Sequence, residues 1–293
     1  MPEQPTIEAF FDECTNTVSY LVADPASREA AVVDPVLGFD SASGLVDTAP
    51  ADRILARAAE QGWRLAWILE THAHADHLTA ALYIKDRTGA PIGIGEHIRQ
   101  VQAIFGPLFA FDDLVPNGSD FDRLFADGER FRIGTLEVEV MHVPGHTPAD
   151  VAYRIGDAVF AGDTLFMPDY GTARADFPGG DARTLYRSIR RLLSLPETTR
   201  LFLCHDYKAP GRDDYRWETS VGEEKRANVH VHDGIDEDGF VAMREERDAT
   251  LAVPKLLLPS IQVNIRAGHF PRAMANGIRY LRIPVKGLPA ALQ

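Results

Sequence analysis

The chain has 293 residues, with 30 basic and 43 acidic side chains and a formal net charge of −13. Hydrophobic residues make up 45% and charged residues 25%, a composition that is typical of a folded globular protein and too apolar for a disordered one. The acidic balance argues against nucleic acid or an anionic membrane as a partner, since both attract clustered Lys and Arg.

Cysteine content and the N-terminal sequence indicate the compartment. Cys14 and Cys204 are too few for a disulfide framework and favour a reducing environment. The N-terminal residues show neither a signal peptide nor a transit pattern, and no segment approaches the ~18 apolar residues that a membrane span requires. We therefore expect a cytoplasmic protein that acts on small molecules.

Apolar segments separated by turn-forming residues predict alternating strands and helices. Strands are predicted over 17–23, 29–33, 64–70, 91–95, 136–142, 151–155, 158–161 and 200–204. Helices are predicted over 51–61 and 78–88, ending at Gly62 and Gly89, around 96–105, over 181–193, and near 216–227 and 238–252. This alternation favours an α/β fold with mixed sheets. We expect one domain over residues 1–293, with 210–293 as a C-terminal extension packed on it.

A dense cluster of candidate metal ligands follows the strand predicted over 64–70. It is the segment His72-Ala73-His74-Ala75-Asp76-His77. Three imidazoles and a carboxylate in a turn can converge on one point, and these groups are ligands that transition metals take. By chance, such a pattern is expected on the order of once in a thousand chains of this histidine content.

Three later sites repeat the arrangement of a polar residue after a predicted strand. They are His146 in PGHTP, Asp163 in GDT after AVFA, and His205 in CHDY after RLFL. Each alone would be read as a turn residue, but together with the first cluster they favour metal ligation.

This order of motifs resembles the metallo-β-lactamase superfamily. The resemblance implies an αβ/βα sandwich of two mixed β-sheets flanked by helices, with the metal cleft at one edge of the sheets. In the superfamily, one metal site would be formed by His72, His74 and His146, and a second by Asp76, His77 and His205, with Asp163 bridging. All seven positions are filled, so the ligands alone leave one metal or two open.

Longer segments resemble one branch, the persulfide (sulfur) dioxygenases and the related bacterial β-lactamase-like hydrolases. These segments are VVDPV, ETHAHADHLTAA, GDTLFMPDYGTARADFPGG, CHDY and LPSIQVNIRAG. The resemblance implies oxidation of glutathione persulfide, or another small persulfide, by O2 and water to the thiol and sulfite. It implies one Fe(II) per chain, held by His72, His146 and Asp163. Two imidazoles and one carboxylate leave coordination positions open for sulfur and O2.

The same resemblance places four further side chains around the iron, where they would orient its ligands and hydrogen-bond bound water. These are His74, Asp76, His77 and His205.

Substrate-binding candidates follow from the expectation that cationic groups bind the two carboxylates of glutathione. Arg174 matches an Arg of the family, and pairing with Asp176 is an equally good interpretation. Tyr207 is a candidate hydrogen-bond donor to a peptide carbonyl, with a core-capping role as the alternative.

Arg226 and Asn228 are further candidates, in a segment where the family often shows Asn-Pro-Arg. Here the Pro-Arg pair is replaced by Val229-His230, so a substrate-binding Arg of the family is absent. Related sequences also place a Cys near Ala175.

Two alternatives remain open. One is a glyoxalase II-like thioester hydrolase with two Zn(II), in which a bridging hydroxide attacks the thioester, and a lactonase is a weaker option on the same chemistry. The C-terminal segment argues against it, because glyoxalase II proteins carry a larger helical substrate domain. The other is a non-catalytic metal-sensing protein, against which the complete ligand set argues. The resemblance also makes a homodimer plausible.

Overall fold

The computed structural model describes residues 4–287. The strands are β1 Thr6–Asp12, β2 Thr17–Asp24, β3 Glu29–Val33, β4 Val36–Asp40, β5 Leu45–Asp47, β6 Arg64–Leu69, β7 Leu78–Thr79, β8 Ile92–Gly95, β9 Arg123–Phe125, β10 Arg130–Ile133, β11 Leu136–His142, β12 Val151–Ile155, β13 Ala158–Phe160, β14 Arg200–Phe202 and β15 Glu218–Ser220. The α-helices are α1 Ala49–Gln61, α2 Ala81–Thr88, α3 Ile98–Leu108, α4 Ala182–Leu193, α5 Val221–Ala227, α6 Glu237–Asp248 and α7 Leu257–Asn264. A short 3-10 helix covers Gly162–Thr164.

The strands form two mixed six-stranded sheets and a small third one. The first sheet has the order β1-β2-β3-β6-β8-β9, the second β10-β11-β12-β13-β14-β15, and the third β5-β4-β7. Parallel pairing joins β3, β6, β8 and β9 in the first sheet and β13 to β14 in the second. Parallel strands need crossover connections, and the helices supply them.

The inner strands of the two large sheets, such as β2, β8 and β13, are buried on both faces, which explains their continuous apolar runs in the sequence. In β2, for example, Val18, Tyr20 and Val22 point into the layer between the two sheets, whereas Leu21 and Ala23 point to the helical side. Helices α1, α2 and α3 cover the first sheet, and α4, α5 and α6 cover the second. The predicted αβ/βα sandwich is therefore confirmed.

Three local signals set helix ends. Gly62 and Gly89 terminate α1 and α2 with φ of 66° and 74°, as predicted, because glycine adopts this left-handed conformation without steric cost. Asp181 begins α4, where its side chain accepts a hydrogen bond from the backbone N–H of Thr184 at 2.7 Å.

Two predicted helices begin later than expected. Leu78 and Thr79 pair with β4 as strand β7, and α2 starts only at Ala81. Similarly, 218–220 is strand β15, and α5 follows with Ser220 as its N-terminal cap. In both cases tertiary strand pairing overrides a locally helical pattern. The helix predicted over 238–252 covers Glu237–Asp248, and the one around 96–105 covers Ile98–Leu108.

Several elements were not predicted. They are β1, β4, β5, β7, β9, β10, β15 and α7. Most are strands of five residues or fewer, which carry too little periodicity to identify. Helix α7 contains Pro259, which the first turn of a helix tolerates because its N–H would be unpaired there anyway.

The C-terminal part of the chain packs on the sandwich through α5, α6 and α7. Phe240 of α6 joins the core below α4, and Ile261 of α7 joins the core of the first sheet. The domain prediction stays a prediction, and residues 1–3 and 288–293 within it lie outside the described residues. Within residues 4–287, the helices are too short or too polar to cross a bilayer.

Candidate metal centre

Four loops meet at one edge of the sandwich, each directly after the carboxyl end of a strand. They follow β6, β11, β13 and β14. Backbone hydrogen bonds join the loops after β6 and β11 to each other and tie the loop after β14 to β2. The N–H of Val151 donates to the carbonyl of Thr71 at 2.9 Å, and that of Val18 donates to the carbonyl of Cys204 at 2.7 Å. The strand ends therefore bring together ligands that are distant in sequence.

His72, His146 and Asp163 converge on one point. Asp163 Oδ2 lies 3.9 Å from His72 Nε2 and 3.7 Å from His146 Nε2. One ligand atom of each residue lies within 4.8 Å of the others. These distances are too long for hydrogen bonds and suit three ligands around one ion.

Three of the imidazole rings are anchored by polar contacts at Nδ1. His146 Nδ1 bonds the carbonyl of Arg174 at 2.8 Å, His205 Nδ1 bonds that of Asn16 at 3.0 Å, and His72 Nδ1 contacts Thr71 Oγ1 at 3.1 Å. Nε2 of His72 and of His205 is buried without a hydrogen-bond partner among the described residues. Metal-ligating histidines show this arrangement, in which one ring nitrogen is anchored and the other is free.

A second group lies beside the first. His205 Nε2 is 3.3 Å from Asp163 Oδ1 and 3.5 Å from Asp76 Oδ2, and His77 Nδ1 is 3.2 Å from Asp76 Oδ2. His74 joins Asp76 and His77 in one set of candidate ligands, and Asp163, Cys204 and His205 in another. All seven predicted residues thus meet in one cluster.

Burial and mutual charge set the protonation of this cluster. Burial, with the neighbouring His74 next in importance, holds the pKa of His72 well below its usual range. Burial also acts to raise the pKa of Asp163, but the facing imidazoles of His205, His72 and His146 outweigh it and hold that pKa below its usual range. A neutral imidazole at His72 and an ionised carboxylate at Asp163 are the protonation states that metal ligands require.

A transition metal therefore fits these residues. The buried nitrogens of His72 and His205 and Oδ1 of Asp163 have no hydrogen-bond partner in residues 4–287. Leaving such groups unpaired costs about 1–3 kcal/mol each, which a bound ion would offset. The three-residue set of two imidazoles and one carboxylate suits iron, and the larger set suits two zinc ions.

Two buried residues outside the predicted ligand set support the metal loop. Asp34, in the segment VVDPV, accepts from the N–H and Oγ1 of Thr71 at 2.7 and 2.9 Å and lies 3.0 Å from His74 Nε2. Asn264 of α7 donates to the carbonyls of His74 and His77 at 2.9 and 2.8 Å. The sequence segments that contain both residues carry the family resemblance, but their spacing alone indicates no role.

A cavity of about 550 Å³ opens beside the cluster. Asp76, His146 and Asp163 of the cluster line it, together with five aromatic side chains. The aromatic residues are Phe39, Phe166, Tyr170, Phe177 and Tyr207. A volume of this size accommodates a small organic molecule beside the candidate ligands.

Arg174 and Tyr207 both line this cavity. The guanidinium of Arg174 also forms a two-pronged pair with Asp176, at 2.6 and 2.7 Å, and donates to the carbonyl of Ala252 at 2.7 Å. Tyr207 is 39% exposed and stacks on His205 with ring centroids 5.5 Å apart. Both substrate-binding predictions stay predictions, and Arg174 has a structural role in addition.

Arg226 and Asn228 do not reach the cavity. Arg226 is exposed on α5. Asn228 is fully buried, and its amide donates to the carbonyl of Gly171 at 3.0 Å and to Glu224 at 2.6 Å. The geometry therefore gives no support to the prediction that they bind substrate.

His230, which replaces the Arg of the family, packs behind the loop that contains Gly171. Its Nδ1 accepts a hydrogen bond from the backbone N–H of Thr172 at 3.0 Å. A Cβ atom at Gly171, where φ is 105°, would come within 2.1 Å of this nitrogen. Burial, with Arg244 and Arg247 nearby, lowers the pKa of His230 to about 4, so the ring is neutral and can accept this bond.

Three cationic side chains and one amide at the cavity are among the lining residues that the sequence did not predict. They are Arg244, Arg247, Lys255 and Asn16. Arg247 and Lys255 are exposed, and no acidic side chain in residues 4–287 pairs with either of them. They lie in a charged stretch where nothing in the sequence separates cavity residues from ordinary surface.

The sequence model of the metallo-beta-lactamase superfamily matches residues 12–205. This protein therefore belongs to the metallo-β-lactamase superfamily, and its metal centre defines it as an enzyme of that class. Its site lies where the four strand-end loops described above converge.

Individual relatives carry different names. The chain is 53% identical to a probable metallo-hydrolase of Burkholderia pseudomallei, over 97% of this chain and 100% of that one. It is 45% identical to Glyoxylase B2 of Dictyostelium discoideum, over 98% and 99%. It is 31% identical to the mitochondrial persulfide dioxygenase ETHE1 of Homo sapiens, over 69% and 68%.

A solved structure shares the fold. The crystal structure of ETHE1 from Myxococcus xanthus is similar with a TM-score of 0.73 and 32% sequence identity, covering 90% of this chain and 100% of that chain.

Proposed function

We propose that this protein is an iron-dependent persulfide dioxygenase, which converts a small persulfide such as glutathione persulfide, with O2 and water, to the thiol and sulfite. The convergence of His72, His146 and Asp163 on one point, with His146 and Asp163 lining the cavity, carries this proposal. Two imidazoles and one carboxylate on one face of an ion are typical of iron oxygenases. The similarity to ETHE1 proteins supports it.

These three residues would hold one Fe(II). Bound there, Fe(II) would offer open positions for both reactants and would supply one-electron redox chemistry, which zinc lacks. The chain's own contribution is orientation. His146 and His72 are anchored through Nδ1, so that Nε2 of each ring faces Asp163.

His74, Asp76, His77 and His205 would surround the iron without binding it. Asp76 lines the cavity. Burial acts to raise the pKa of Asp76, but His205 and His77 outweigh it and hold that pKa well below its usual range. His205 lies 3.5 Å from Asp76, so the pair can hold a proton close to the reacting sulfur.

Substrate recognition is assigned to unpaired cations at the cavity. Arg174 and Arg244 line it but already pair with Asp176 and Asp248. Arg247 and Lys255 have no such partner among the described residues and are available for carboxylates of glutathione. The aromatic side chains that line the cavity would pack against the carbon skeleton and exclude water.

The remaining expectations belong to this proposal. The partners are the persulfide and O2, the location is the cytoplasm, and two copies of the chain form a homodimer. The acidic composition supports a small-molecule partner rather than nucleic acid.

A thioester hydrolase with two Zn(II) is the second candidate. The adjoining sets around His74, Asp76, His77 and His205 offer ligands for a second ion, and Glyoxylase B2 is a relative at 45% identity. Two zinc ions would supply an acidic bridging hydroxide for attack on a thioester carbonyl.

Metal analysis and oxygen consumption separate the two candidates. Protein purified without added metal is analysed for iron and zinc, then assayed with glutathione persulfide in an O2 electrode and with a glutathione thioester. About one iron per chain with O2 uptake and sulfite release supports the dioxygenase. About two zinc ions with thioester cleavage and no O2 uptake contradicts it.

A further inference from the structure

One peptide group links the metal ligand His146 to a buried ion pair in the C-terminal part of the chain. His146 Nδ1 donates to the carbonyl oxygen of Arg174 at 2.8 Å. The N–H of the same peptide group belongs to Ala175 and donates to Asp248 Oδ2 at 2.8 Å. The imidazole and the carboxylate therefore lie at opposite ends of one peptide dipole.

Asp248 is in turn held by Arg244. Oδ1 of Asp248 accepts from Nε of Arg244 at 3.0 Å and from Nη2 at 2.7 Å. Arg244 Nη1 also donates to the carbonyl of Thr172 at 3.1 Å. Asp248 is 5% exposed and Arg244 is 1% exposed, so the pair is buried.

Stability alone gives little reason for such a pair. Desolvation of two charges offsets most of their attraction, and apolar replacements are often as stable. The pair instead fixes the position of the loop over 172–175, because both of its members bind the backbone of that loop. That loop supplies the carbonyl that orients His146.

The charge of Asp248 also has an electronic effect on the ring. A carboxylate at the N–H end polarises the peptide group and makes its carbonyl a stronger acceptor. A stronger acceptor at Nδ1 makes Nε2 of the imidazole a better metal donor. The sequence alone does not reveal this link, because Asp248 lies about one hundred residues after His146.

We propose that Asp248, fixed by Arg244, is a positioning residue for the metal ligand His146 and acts through the Arg174–Ala175 peptide group. The assignment rests on His146 as a ligand, which both candidate functions share, and is independent of the reaction that the metal performs.

The test measures Co(II) binding by the full chain after its metal is removed by chelation. Wild type is compared with D248A, D248N and the control E237Q. Glu237 lies on the same helix α6 and pairs with Arg183 and Arg187 of α4, so its replacement loosens the helix without touching the loop over 172–175. Circular dichroism establishes that each metal-free variant is folded.

We expect D248A to raise the Kd for Co(II) about 10- to 100-fold, as loss of an outer partner of a metal-ligating histidine does. D248N keeps the volume but loses the charge, and we expect a rise of about 3- to 10-fold with a shifted Co(II) absorption band. E237Q should bind Co(II) within about twofold of wild type.

Folded Asp248 variants that bind Co(II) within about twofold of wild type overturn the proposal. An equal loss of Co(II) affinity in E237Q also overturns the proposal, because it would assign the effect to the packing of α6 on α4. Loss of the fold in both Asp248 variants would make the residue a determinant of folding alone and would also overturn it. None of these outcomes depends on O2 uptake, so failure of the dioxygenase assay leaves the test intact.

Discussion

The side-chain amide of Asn264 donates a hydrogen bond to the backbone carbonyl of His74 at 2.9 Å, across 190 residues of sequence. The same amide nitrogen donates to the carbonyl of His77 at 2.8 Å, and its oxygen accepts from the N–H of Thr79 at 2.8 Å. Helix α7 thereby fixes the backbone of the loop that carries His74 and His77.

Replacing Asn264 should destabilise the protein strongly. N264A leaves three buried backbone groups without a partner, and we expect the free energy of unfolding to fall by about 2–4 kcal/mol. Urea denaturation of the metal-free protein measures this loss. The exposed Asn276 gives a matched control, and N276A should lie within about 0.5 kcal/mol of wild type. Equal stability of N264A and N276A would show that α7 does not hold the loop.

His146 should be essential for metal binding but not for folding. H146A removes one of three converging ligands, so we expect iron content to drop from about one per chain to background, with loss of activity and a near-native circular dichroism spectrum. H269A replaces an exposed histidine and should retain full iron. Near-full O2 uptake by H146A would refute the ligand assignment.

The cations Arg247 and Lys255 should act on binding of an anionic substrate rather than on chemistry. R247M and K255M should each raise KM for glutathione persulfide about fivefold, with kcat nearly unchanged, because a carboxylate contact is made equally in ground and transition states. Steady-state kinetics at two salt concentrations measures this. K286M removes an exposed charge that does not line the cavity and serves as the control. A fall in kcat at constant KM would contradict the assignment.

Glu224 should make the protein less stable as pH rises. Burial, which outweighs its bond from Asn228, raises the pKa of Glu224 to about 8. The folded state therefore keeps a proton that the unfolded state releases above its ordinary pKa, and stability falls between that pKa and about pH 8 by roughly 1.4 kcal/mol per unit.

The variant E224Q isolates this contribution, because it cannot release the proton. We expect its free energy of unfolding, relative to wild type, to rise by on the order of 3 kcal/mol between pH 5 and 8 and to stay level above pH 9. Urea denaturation across this range measures the difference. A difference that is independent of pH would show that Glu224 titrates normally in the folded protein.

Metal removal should lower the thermal stability of the protein. An ion bound only to the folded state stabilises it by about 2.7 kcal/mol at one hundred times its Kd, which corresponds to roughly 5–10 °C in Tm. Calorimetry before and after chelation, with Fe(II) or Zn(II) restored, measures the shift. H146A should show no response to either metal, and an equal response would point to binding elsewhere.

Much of the fold and of the metal centre was determined by the sequence alone, because the signals are local. Gly62 and Gly89 end helices through their own backbone conformation. The ligands from His72 to His205 each follow an apolar strand, and the carboxyl ends of neighbouring strands meet at one edge of a sheet. Signals of this kind depend on neighbouring residues in the chain, so the sequence alone is enough to identify them.

Only the tertiary structure decided which residues support the ligands and which line the cavity. Asn264 and Asp248 reach the metal loops from the C-terminal helices, and no periodicity records such contacts. Conversely, Asn228 reads as a substrate-binding residue but is buried against Glu224. These roles depend on where a side chain points after the sandwich has closed, which is a property of packing between distant segments rather than of local sequence.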